Sequence, residues 1–393
     1  MISIIVIYFV GAGAWIFLGS VSEIRSIQFD HLATTGVESL WGREIHQSTP
    51  RFYVQVPGRK QLQEITAQSA NISVDLQLEQ KRKGLIWLPT YWLDFTASYS
   101  LKNTSPVAQN VRFGFNLPDA NATYDELSFS LDDEEIQPGI HNRTQINHIV
   151  PLQSGAVKTI NIHYKMRGLK QWQYDLAAYT KQVRNLNMEV NTNFQAVDYA
   201  AGSLSPSTSE LTESGMALSW TANDLLTQKS VGVVMPERLN PGPLSARMSF
   251  FAPVCLLFFF VLISALCIIK QIPIHPMHYL FVNASFFAFN LLFSYSVDHL
   301  DVNLSFIISA LVSVSILTPY LRQALGKRYP LKTSVCGQLV YLVLFSYSFF
   351  LQGMTGLTVT VASILTLGVL MFLTAKTDWK TVFEGRKSNL ANA

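Results

Sequence analysis

The sequence predicts a membrane protein of the α + β type, with six transmembrane helices and a large all-β, sandwich-like extracytoplasmic domain between helices one and two. Three observations predict it. Only 14% of the 393 residues are charged, against about 25% in soluble domains. Long apolar runs occupy the N-terminus and the last third, and short segments between them alternate apolar and polar residues. The predicted parts are an N-terminal anchor (1–20), an extracytoplasmic domain (21–245), a five-helix transmembrane bundle (246–376) and a cytoplasmic tail (377–393).

The first apolar run, Ile2–Leu18, contains no charged residue. At about 1.5 Å per residue, a helix of this length nearly crosses a hydrocarbon core of about 30 Å. A cleaved signal peptide is the alternative, because Gly19 and Ser20 are small. The lack of a preceding Lys or Arg favours an uncleaved anchor, and the sequence leaves cleavage open. A short helix is predicted over Glu23–Val37, where the chain turns polar.

The middle of the chain carries repeated strand signals. Alternation with period two means one buried face and one wet face, as in antiparallel sheets, and eight or more such segments predict a β-sandwich. The predicted strands include Ile72–Leu78, Leu93–Leu101, Val111–Leu117, Leu127–Leu131, Val157–Met166, Leu186–Phe194, Met216–Trp220 and Val231–Met235. Within Leu169–Thr180, the spacing of Trp172, Leu176 and Tyr179 predicts a short helix. The Ser- and Thr-rich stretch Ala200–Gly215 is predicted to be a long loop.

Three prolines within Met235–Leu244 end the β-rich part and return the chain to the membrane. Five apolar runs follow, near Phe250–Ile269, Tyr279–Val297, Leu304–Tyr320, Val335–Leu351 and Leu357–Ala375. Basic residues mark alternate connections: Lys270; Arg322, Lys327, Arg328 and Lys332; and Lys376, Lys380, Arg386 and Lys387. The positive-inside rule therefore predicts that both termini are cytoplasmic and that the β-rich domain is outside, in the periplasm of a bacterium.

The third span holds the candidate polar residues of the membrane core, which are His275, Pro276, His278, Tyr279, Asn283, Asn290, Asp298 and His299. His275 and His278 are three apart and share a helix face, which would suit a metal or a proton relay. The favoured interpretation is a belt of His and Tyr at the membrane interface, with Pro276 in the first helical turn.

Asn283 and Asn290 are seven residues apart, so they also share a helix face. Hydrogen bonds to neighbouring helices are the favoured interpretation, and a substrate path is the alternative. Asp298 and His299 lie at the predicted outer boundary, where water can solvate them. No charged residue lies deep in a predicted span, which argues against an ion-coupled transporter.

No catalytic, cofactor-binding or metal-binding residue is predicted, and the chain is expected not to be an enzyme. All three cysteines lie in apolar runs. The acidic run 132–135 lacks the alternating ligands of a calcium loop, which favours a solvated turn. A Gly-x-Ser-x-Gly elbow and a glycine-rich phosphate loop are both absent from the sequence. The net charge of +3 is small and scattered, so nucleic acid is not an expected partner.

The stretch IHPMHYLFVNASFFAFNLLFSYSVDHLDVNLSFIISALVS, from Ile274 to Ser313, resembles the membrane core of the CreD family of inner-membrane proteins of Gram-negative bacteria. The family's pattern there is approximately a His-Pro-x-x-Tyr-Leu opening, an apolar span and a closing Ser-x-x-acid-His. This sequence supplies His275-Pro276, Tyr279-Leu280, Ser294, Ser296 and Asp298-His299. The segments LWGREIHQSTPRFYVQVP and LMFLTAKTDWK resemble the region after the family's first span and its final span. The chain departs from the family in being shorter, in carrying His278 where glutamine is common, and in matching loosely over the outer domain.

The resemblance implies one span, a large periplasmic domain and a membrane bundle in the bacterial inner membrane. It also implies a link to envelope integrity and, in some species, to the β-lactam response under two-component control. It supplies no catalytic residues. The expected function is that of a non-enzymatic envelope protein whose partners are the lipid bilayer and an unidentified periplasmic component, with the oligomeric state left open. A transporter or flippase using the third span, and a periplasmic hydrolase, are the alternatives.

Overall fold

The computed structural model describes residues 2–55, 61–83, 86–132, 134–137, 139–141, 144–176, 182–351 and 353–375. The predicted cytoplasmic tail, 377–393, lies outside them. The chain divides into two compact units, one formed by Met1–Asp30 with Leu239–Ala393 and the other by His31–Arg238. The first is called the membrane unit below, and the second is called the outer unit.

The membrane unit is helical. Its elements are α1 (Ile2–Trp41, which continues into the outer unit), α2 (Pro241–Ile269), α3 (Pro276–Ser296), α4 (Val302–Leu325), α5 (Leu331–Gln338), a π-helical segment (Leu339–Leu344), α6 (Phe345–Tyr347), a 3₁₀ turn (Ser348–Phe350) and α7 (Thr355–Thr374). The helix predicted over Glu23–Val37 is a continuation of α1, which runs unbroken for 40 residues.

Among the described residues, five helices are long and apolar enough to cross a membrane: α1, α2, α3, α4 and the continuous stretch Leu331–Phe350. The twenty-residue α7 occupies the position of the sixth predicted span. The predicted class, a membrane protein with an apolar N-terminal helix, a β-rich domain and further apolar helices, is confirmed. The count of six spans stays a prediction.

Helix directions in the membrane unit follow from which residues meet. α1 and α3 are parallel, since contacts ascend along both: Ile7 with Asn283, Ser22 with Ser294, and Arg25 with Asp298. α1 and α2 are antiparallel, since Tyr8 lies near Phe260 and Ser26 lies near Gly242. α3 and α4 are also antiparallel, since His278 lies near Tyr320 and Phe293 lies near Phe306. This alternation is what the predicted topology requires. Which side is cytoplasmic stays a prediction.

The outer unit is built from strands in three sheets. They are β1 (Ile45–Ser48), β2 (Arg51–Gln55), β3 (Leu62–Ile65), β4 (Ser69–Lys83), β5 (Ile86–Lys102), β6 (Gln109–Asn116), β7 (Asp125–Leu131), β8 (Glu134–Glu135), β9 (Gly139–His141), β10 (Gln145–Leu152), β11 (Val157–Leu169), β12 (Gln171–Asp175), β13 (Gln182–Thr192), β14 (Asp198–Tyr199), β15 (Thr208–Leu211), β16 (Met216–Leu226) and β17 (Ser230–Val234). The strand orders are β1-β12-β17-β14, β3-β2-β6-β10-β9 and β15-β16-β13-β4-β5-β11-β7-β8.

Every strand predicted above overlaps a strand of the structure, but the helix predicted within Leu169–Thr180 is wrong. Gln171–Asp175 is β12, in which Trp172 and Tyr174 are both buried. Leu176 is buried as well, and Tyr179 lies outside the described residues. The predicted loop Ala200–Gly215 contains the short β15, and β10 was not predicted. The sheets are also not purely antiparallel, because β13 pairs with β4 in parallel.

The three sheets share one apolar core. Phe95 of the eight-stranded sheet stacks on Tyr174 of the four-stranded sheet, with ring centroids 6.2 Å apart, and packs against Phe115 of the five-stranded sheet at 6.4 Å. Alternate residues of the central strands point into this core, as the period-two pattern requires. The eight-stranded sheet therefore packs on the other two.

Buried hydroxyl and amide groups join the sheets inside this core. The Tyr99 hydroxyl lies 2.8 Å from the Tyr174 hydroxyl, and the Tyr164 hydroxyl donates to Gln47 Oε1 at 2.7 Å. Gln47, fully buried, donates in turn to the Asn116 carbonyl at 3.0 Å. These four buried side chains, Tyr99, Tyr174, Tyr164 and Gln47, thus have partners, which avoids the cost of an unmade hydrogen bond, about 1–3 kcal/mol.

Candidate functional site

The predicted histidines lie at the start of α3. His275 is the N-cap, where its Nδ1 accepts a hydrogen bond from the Met277 amide at 3.3 Å, and Pro276 is the first helical residue. His278 Nδ1 lies 2.8 Å from the Tyr320 hydroxyl of α4. Among the described residues no group of three His, Cys, Asp or Glu could hold a metal ion. The two histidines therefore take part in a helix cap and in a contact between two helices.

Tyr279 and Asn283 make contacts in two directions from α3. The buried Tyr279 hydroxyl lies 2.6 Å from Ser264 Oγ of α2. The Asn283 amide donates to the Ile7 carbonyl of α1 at 3.0 Å. A Cβ atom on Gly11 would lie only 2.1 Å from Asn283 Nδ2. The asparagine thus fills space that the missing side chain of Gly11 leaves open.

Asn290 does not repeat this arrangement, although it is nearly fully buried. Its amide donates to the Phe286 carbonyl of its own helix at 3.4 Å, and its Oδ1 has no hydrogen-bond partner among the described residues. The sequence spacing predicted a common role for Asn283 and Asn290, and the structure gives them different surroundings.

Asp298 and His299 follow the end of α3. The Asp298 carboxylate forms an ion pair with Arg25 of α1, whose guanidinium also lies 5.3 Å from the centre of the Tyr295 ring. The His299 amide donates to the Ser296 carbonyl at 2.9 Å. The predicted polar face of the third span is therefore divided among contacts with α1, α2 and α4.

A cavity of about 780 Å³ lies on the five-stranded sheet of the outer unit. The faces of β2, β6 and β10 turned away from the core place their side chains in rows set by antiparallel register. One row runs from Tyr53 through Arg112 to Ile149, and the next runs from Arg51 through Gly114 to Asn147. Asn116 and Gln145 form a third pair. Residues opposite each other in such rows have Cβ atoms about 4.5–5.5 Å apart, so the rows form one continuous surface.

Gly114 forms the floor of this cavity. It lacks a side chain between Arg51 and Asn147, and a Cβ atom there would lie 3.3 Å from Asn147 Oδ1. Its neighbours on the strand, Phe113 and Phe115, point the other way into the core and are buried. The depression thus rests on the apolar core.

The cavity is rich in hydrogen-bond donors. Two guanidinium groups, three side-chain amides and the Tyr53 phenol line it, and none of its described lining residues is Asp or Glu. Glu64 of β3 lies opposite Tyr53 in the next strand, which places one carboxylate at the edge of the rows. Two arginines that cannot lose their charge give the surface a positive potential and suit an anionic ligand.

None of the cavity residues was among those singled out from the sequence. A signal existed in the alternation of two strands. In RFYVQ, Arg51 and Tyr53 alternate with the buried residues and so lie on the outward face. In VRFGFN, Arg112 and Gly114 do the same. The sequence does not show that these two segments pair with each other and with β10. That pairing brings residues about a hundred positions apart onto one face.

Among solved structures, one described as a nutrient-binding protein of Legionella pneumophila is similar, with 9% identity and a TM-score of 0.36. The match covers 67% of this chain and 98% of the Legionella chain. An M1 zinc metallopeptidase of Deinococcus radiodurans is 11% identical, covers 43% of each chain and has a TM-score of 0.24. A second structure of that enzyme is 7% identical over 70% of this chain and 93% of its own, with a TM-score of 0.23. At these TM-scores, nothing about the role of this chain follows from the similarity.

The comparison with curated proteins found no match. The family described as inner membrane protein CreD matches residues 43–380. This range takes in nearly all of the outer unit and the helices from α2 onward, and the membrane-length helices agree with an inner-membrane location. The chain belongs to the CreD family of inner membrane proteins.

Proposed function

We propose that this protein is a non-enzymatic component of the cell envelope that contributes to envelope integrity, or to the response to stress and β-lactams, through its outer unit. The observation that carries the proposal is the donor-rich cavity on a β-rich unit whose two ends both continue into membrane helices. α1 enters the outer unit at His31, and α2 begins three residues after Arg238. A ligand bound at the cavity would thus be held by an anchored protein.

The surroundings of His163 support a non-enzymatic role. Its Nε2 lies 3.0 Å from Asp94 Oδ1, and its Nδ1 lies 3.1 Å from the Glu126 carbonyl. A general base needs a ring nitrogen directed at the proton that it removes. Because both nitrogens of His163 already have partners, this His–Asp pair is a poor candidate for hydrolase chemistry.

A transporter is the second candidate, and one observation favours it. Gln338 of α5 is buried, lies 3.5 Å from Ser313 Oγ of α4, and is followed directly by the π-helical segment. Ser313 Oγ in turn donates to the Ser285 carbonyl of α3 at 2.9 Å. π-Helical turns are frequent at functional sites, so this polar contact among three helices is where a path would be sought.

Cysteine labelling separates the two candidates. Cys255, Cys267 and Cys336 are replaced, and single cysteines are placed at Asn290 and Ser313 of the protein in intact cells. The envelope proposal predicts that both positions are protected from a membrane-impermeant thiol reagent, with a cysteine at the exposed residue Asp301 as the labelled control. Labelling at Asn290 or Ser313 would favour transport.

A deletion strain tests the main proposal. Loss of the gene is expected to increase sensitivity to detergent and to β-lactams, and the full-length protein supplied in trans is expected to restore resistance. A variant carrying both Arg51→Gln and Arg112→Gln should restore it poorly. If the deletion strain were as resistant as its parent under both stresses, the proposed function would be wrong.

A further inference from the structure

We infer that the cavity on the five-stranded sheet binds a glycan that carries carboxylate groups. This inference rests on the proposed function, because it names the class of envelope component that the outer unit would hold. The charge, the hydrogen-bonding groups and the shape of the cavity support it.

The charge of the cavity selects an anion. Arg51 and Arg112 lie diagonally across β2 and β6, because Arg51 is opposite Gly114 and Arg112 is two residues before it. Diagonal neighbours in a sheet are about 7–8 Å apart, within reach of long side chains. Guanidinium groups bind carboxylates through paired hydrogen bonds. Two of them at this separation can hold one carboxylate together or two carboxylates on adjacent units of a chain.

The remaining groups suit a polyhydroxylated ligand. Asn116, Gln145 and Asn147 each carry an amide that can both donate and accept, which matches hydroxyl and acetamido groups. Ile149 is 56% exposed at the end of the Arg112 row, and the Tyr53 ring lies at the other end of this row. They offer apolar contact to the less polar faces of sugar rings. An acidic peptide could use the same arginines, and its backbone could pair with the amides, so the apolar contact that Tyr53 and Ile149 offer to sugar-ring faces is what favours a glycan.

The shape of the cavity suits a segment of a chain. Its volume of about 780 Å³ lies within the range of ligand sites, about 300–1,000 Å³. Gly114 lowers the surface at the centre, between the Arg51 and Asn147 side chains. A glycan can therefore lie across the strands over Gly114, with its carboxylates directed at the arginines.

The test measures binding to the full-length protein in nanodiscs of zwitterionic lipid. The probe is a uronic acid oligomer, and the matched probe is the methyl ester of this oligomer, which keeps the sugar chain and removes the charge. The acidic oligomer is expected to bind at least about tenfold more tightly than the ester, because hydrogen bonds to charged groups are the stronger ones. Equal binding of the two would overturn the inference.

Three substitutions locate the binding. Arg112→Gln and Arg51→Gln are each expected to weaken binding of the acidic oligomer about tenfold or more. Arg184→Gln makes the same change at an exposed arginine of the eight-stranded sheet and should leave binding unchanged. Arg112 is exposed on its strand, so its replacement should not disturb folding. If Arg184→Gln had the same effect as the two cavity variants, the assigned site would be wrong.

Two further probes decide between ligand classes. A Glu-rich peptide and vesicles containing an anionic lipid are tested in the same way. Tighter binding of either one, with the same dependence on Arg51 and Arg112, would overturn the glycan assignment. Failure of the oligomer to bind would also overturn this assignment. The proposed function would not fall with it, because the phenotype of the deletion strain tests that function separately.

Discussion

Arg25 of α1 and Asp298 at the end of α3 form an ion pair although 273 residues separate them in the sequence. Both side chains are about one-quarter to one-third exposed, at 33% and 23%. The whole outer unit is inserted in the chain between them. The pair, together with the Ser22–Ser294 contact one turn earlier in α1, joins the first helix to the helices that follow the outer unit.

Breaking this pair is expected to destabilise the association of α1 with α3. Arg25→Gln should lower the free energy of unfolding by about 1 kcal/mol, because a partly exposed ion pair rarely contributes more than that to stability. Asp298→Asn should cost a similar amount, and the double variant should cost less than the sum. Unfolding in mixed detergent micelles, followed by circular dichroism, measures these changes. Glu23→Gln on the same helix is the control and should have no effect, and strictly additive losses would exclude a direct interaction.

Gly11 and Gly13 provide a matched pair of substitutions in α1. A Cβ atom on Gly11 would meet the Asn283 amide at 2.1 Å, whereas one on Gly13 would meet nothing within 4 Å. Gly11→Ala should therefore displace Asn283 and cost about 1–3 kcal/mol. Gly13→Ala should be neutral or stabilising, since alanine favours helix by up to about 1 kcal/mol. Thermal unfolding in detergent compares the two, and equal effects would contradict the Gly11–Asn283 contact.

We expect the buried tyrosines to make the outer unit less stable in alkali. Burial raises the pKa of Tyr174 to about 12 and raises the pKa of Tyr99 well above its usual value. Because the folded state holds these protons more tightly than the unfolded state does, their contribution to stability is complete below pH of about 10 and is lost as the pH rises above it. We expect the free energy of unfolding to fall by about 1.4 kcal/mol per pH unit for each such tyrosine.

Denaturant unfolding of the solubilised protein at pH 8, 10 and 11, followed by tryptophan fluorescence, measures this loss. Tyr174→Phe removes one phenol whose ionisation is coupled to unfolding. The free energy of unfolding should therefore fall less between pH 10 and 11 than it does in the parent. The substitution should also lower stability at pH 8 by about 1–3 kcal/mol, because the Tyr99 hydroxyl loses its partner. A pH dependence identical to that of the parent would contradict a raised pKa at Tyr174.

Gly114 offers a way to fill the cavity without changing its charge. The residue does not have the left-handed backbone that only glycine tolerates well, since its φ lies outside that region. Gly114→Val should therefore fit the strand, where valine is favoured, and abolish binding of the acidic oligomer. Gly114→Ala should weaken binding by less. Titration of both variants tests this, with the melting temperature as the control, and undiminished binding by Gly114→Val would exclude the cavity as the site.

Much of the fold was predictable because its signals are local. Phe95, Ala97 and Tyr99 alternate with polar residues along β5 and are all buried. The error at β12 shows the limit of such signals. Trp172 and Leu176 are four residues apart, which fits a helix, but Tyr174 between them is also buried. The three together follow the period of a strand, and the neighbouring β17 supplies the hydrogen bonds that decide it.

The candidate site was not predictable in this way. Arg51, Arg112 and Asn147 look like ordinary outward-facing strand residues until register places them beside Gly114. A shift of one residue in that register would move every one of these side chains to the opposite face.

Composition, hydropathy and alternation by themselves determined that this is a membrane protein with an apolar anchor, a β-rich middle and a helical remainder. These are properties of neighbouring residues, set by the cost of placing each stretch in water or in lipid. Only the tertiary structure decided which strands pair, which helices meet and where the cavity lies. Contacts such as Arg25–Asp298 and Arg51–Gly114 depend on packing between distant segments, and no local pattern of residues encodes them.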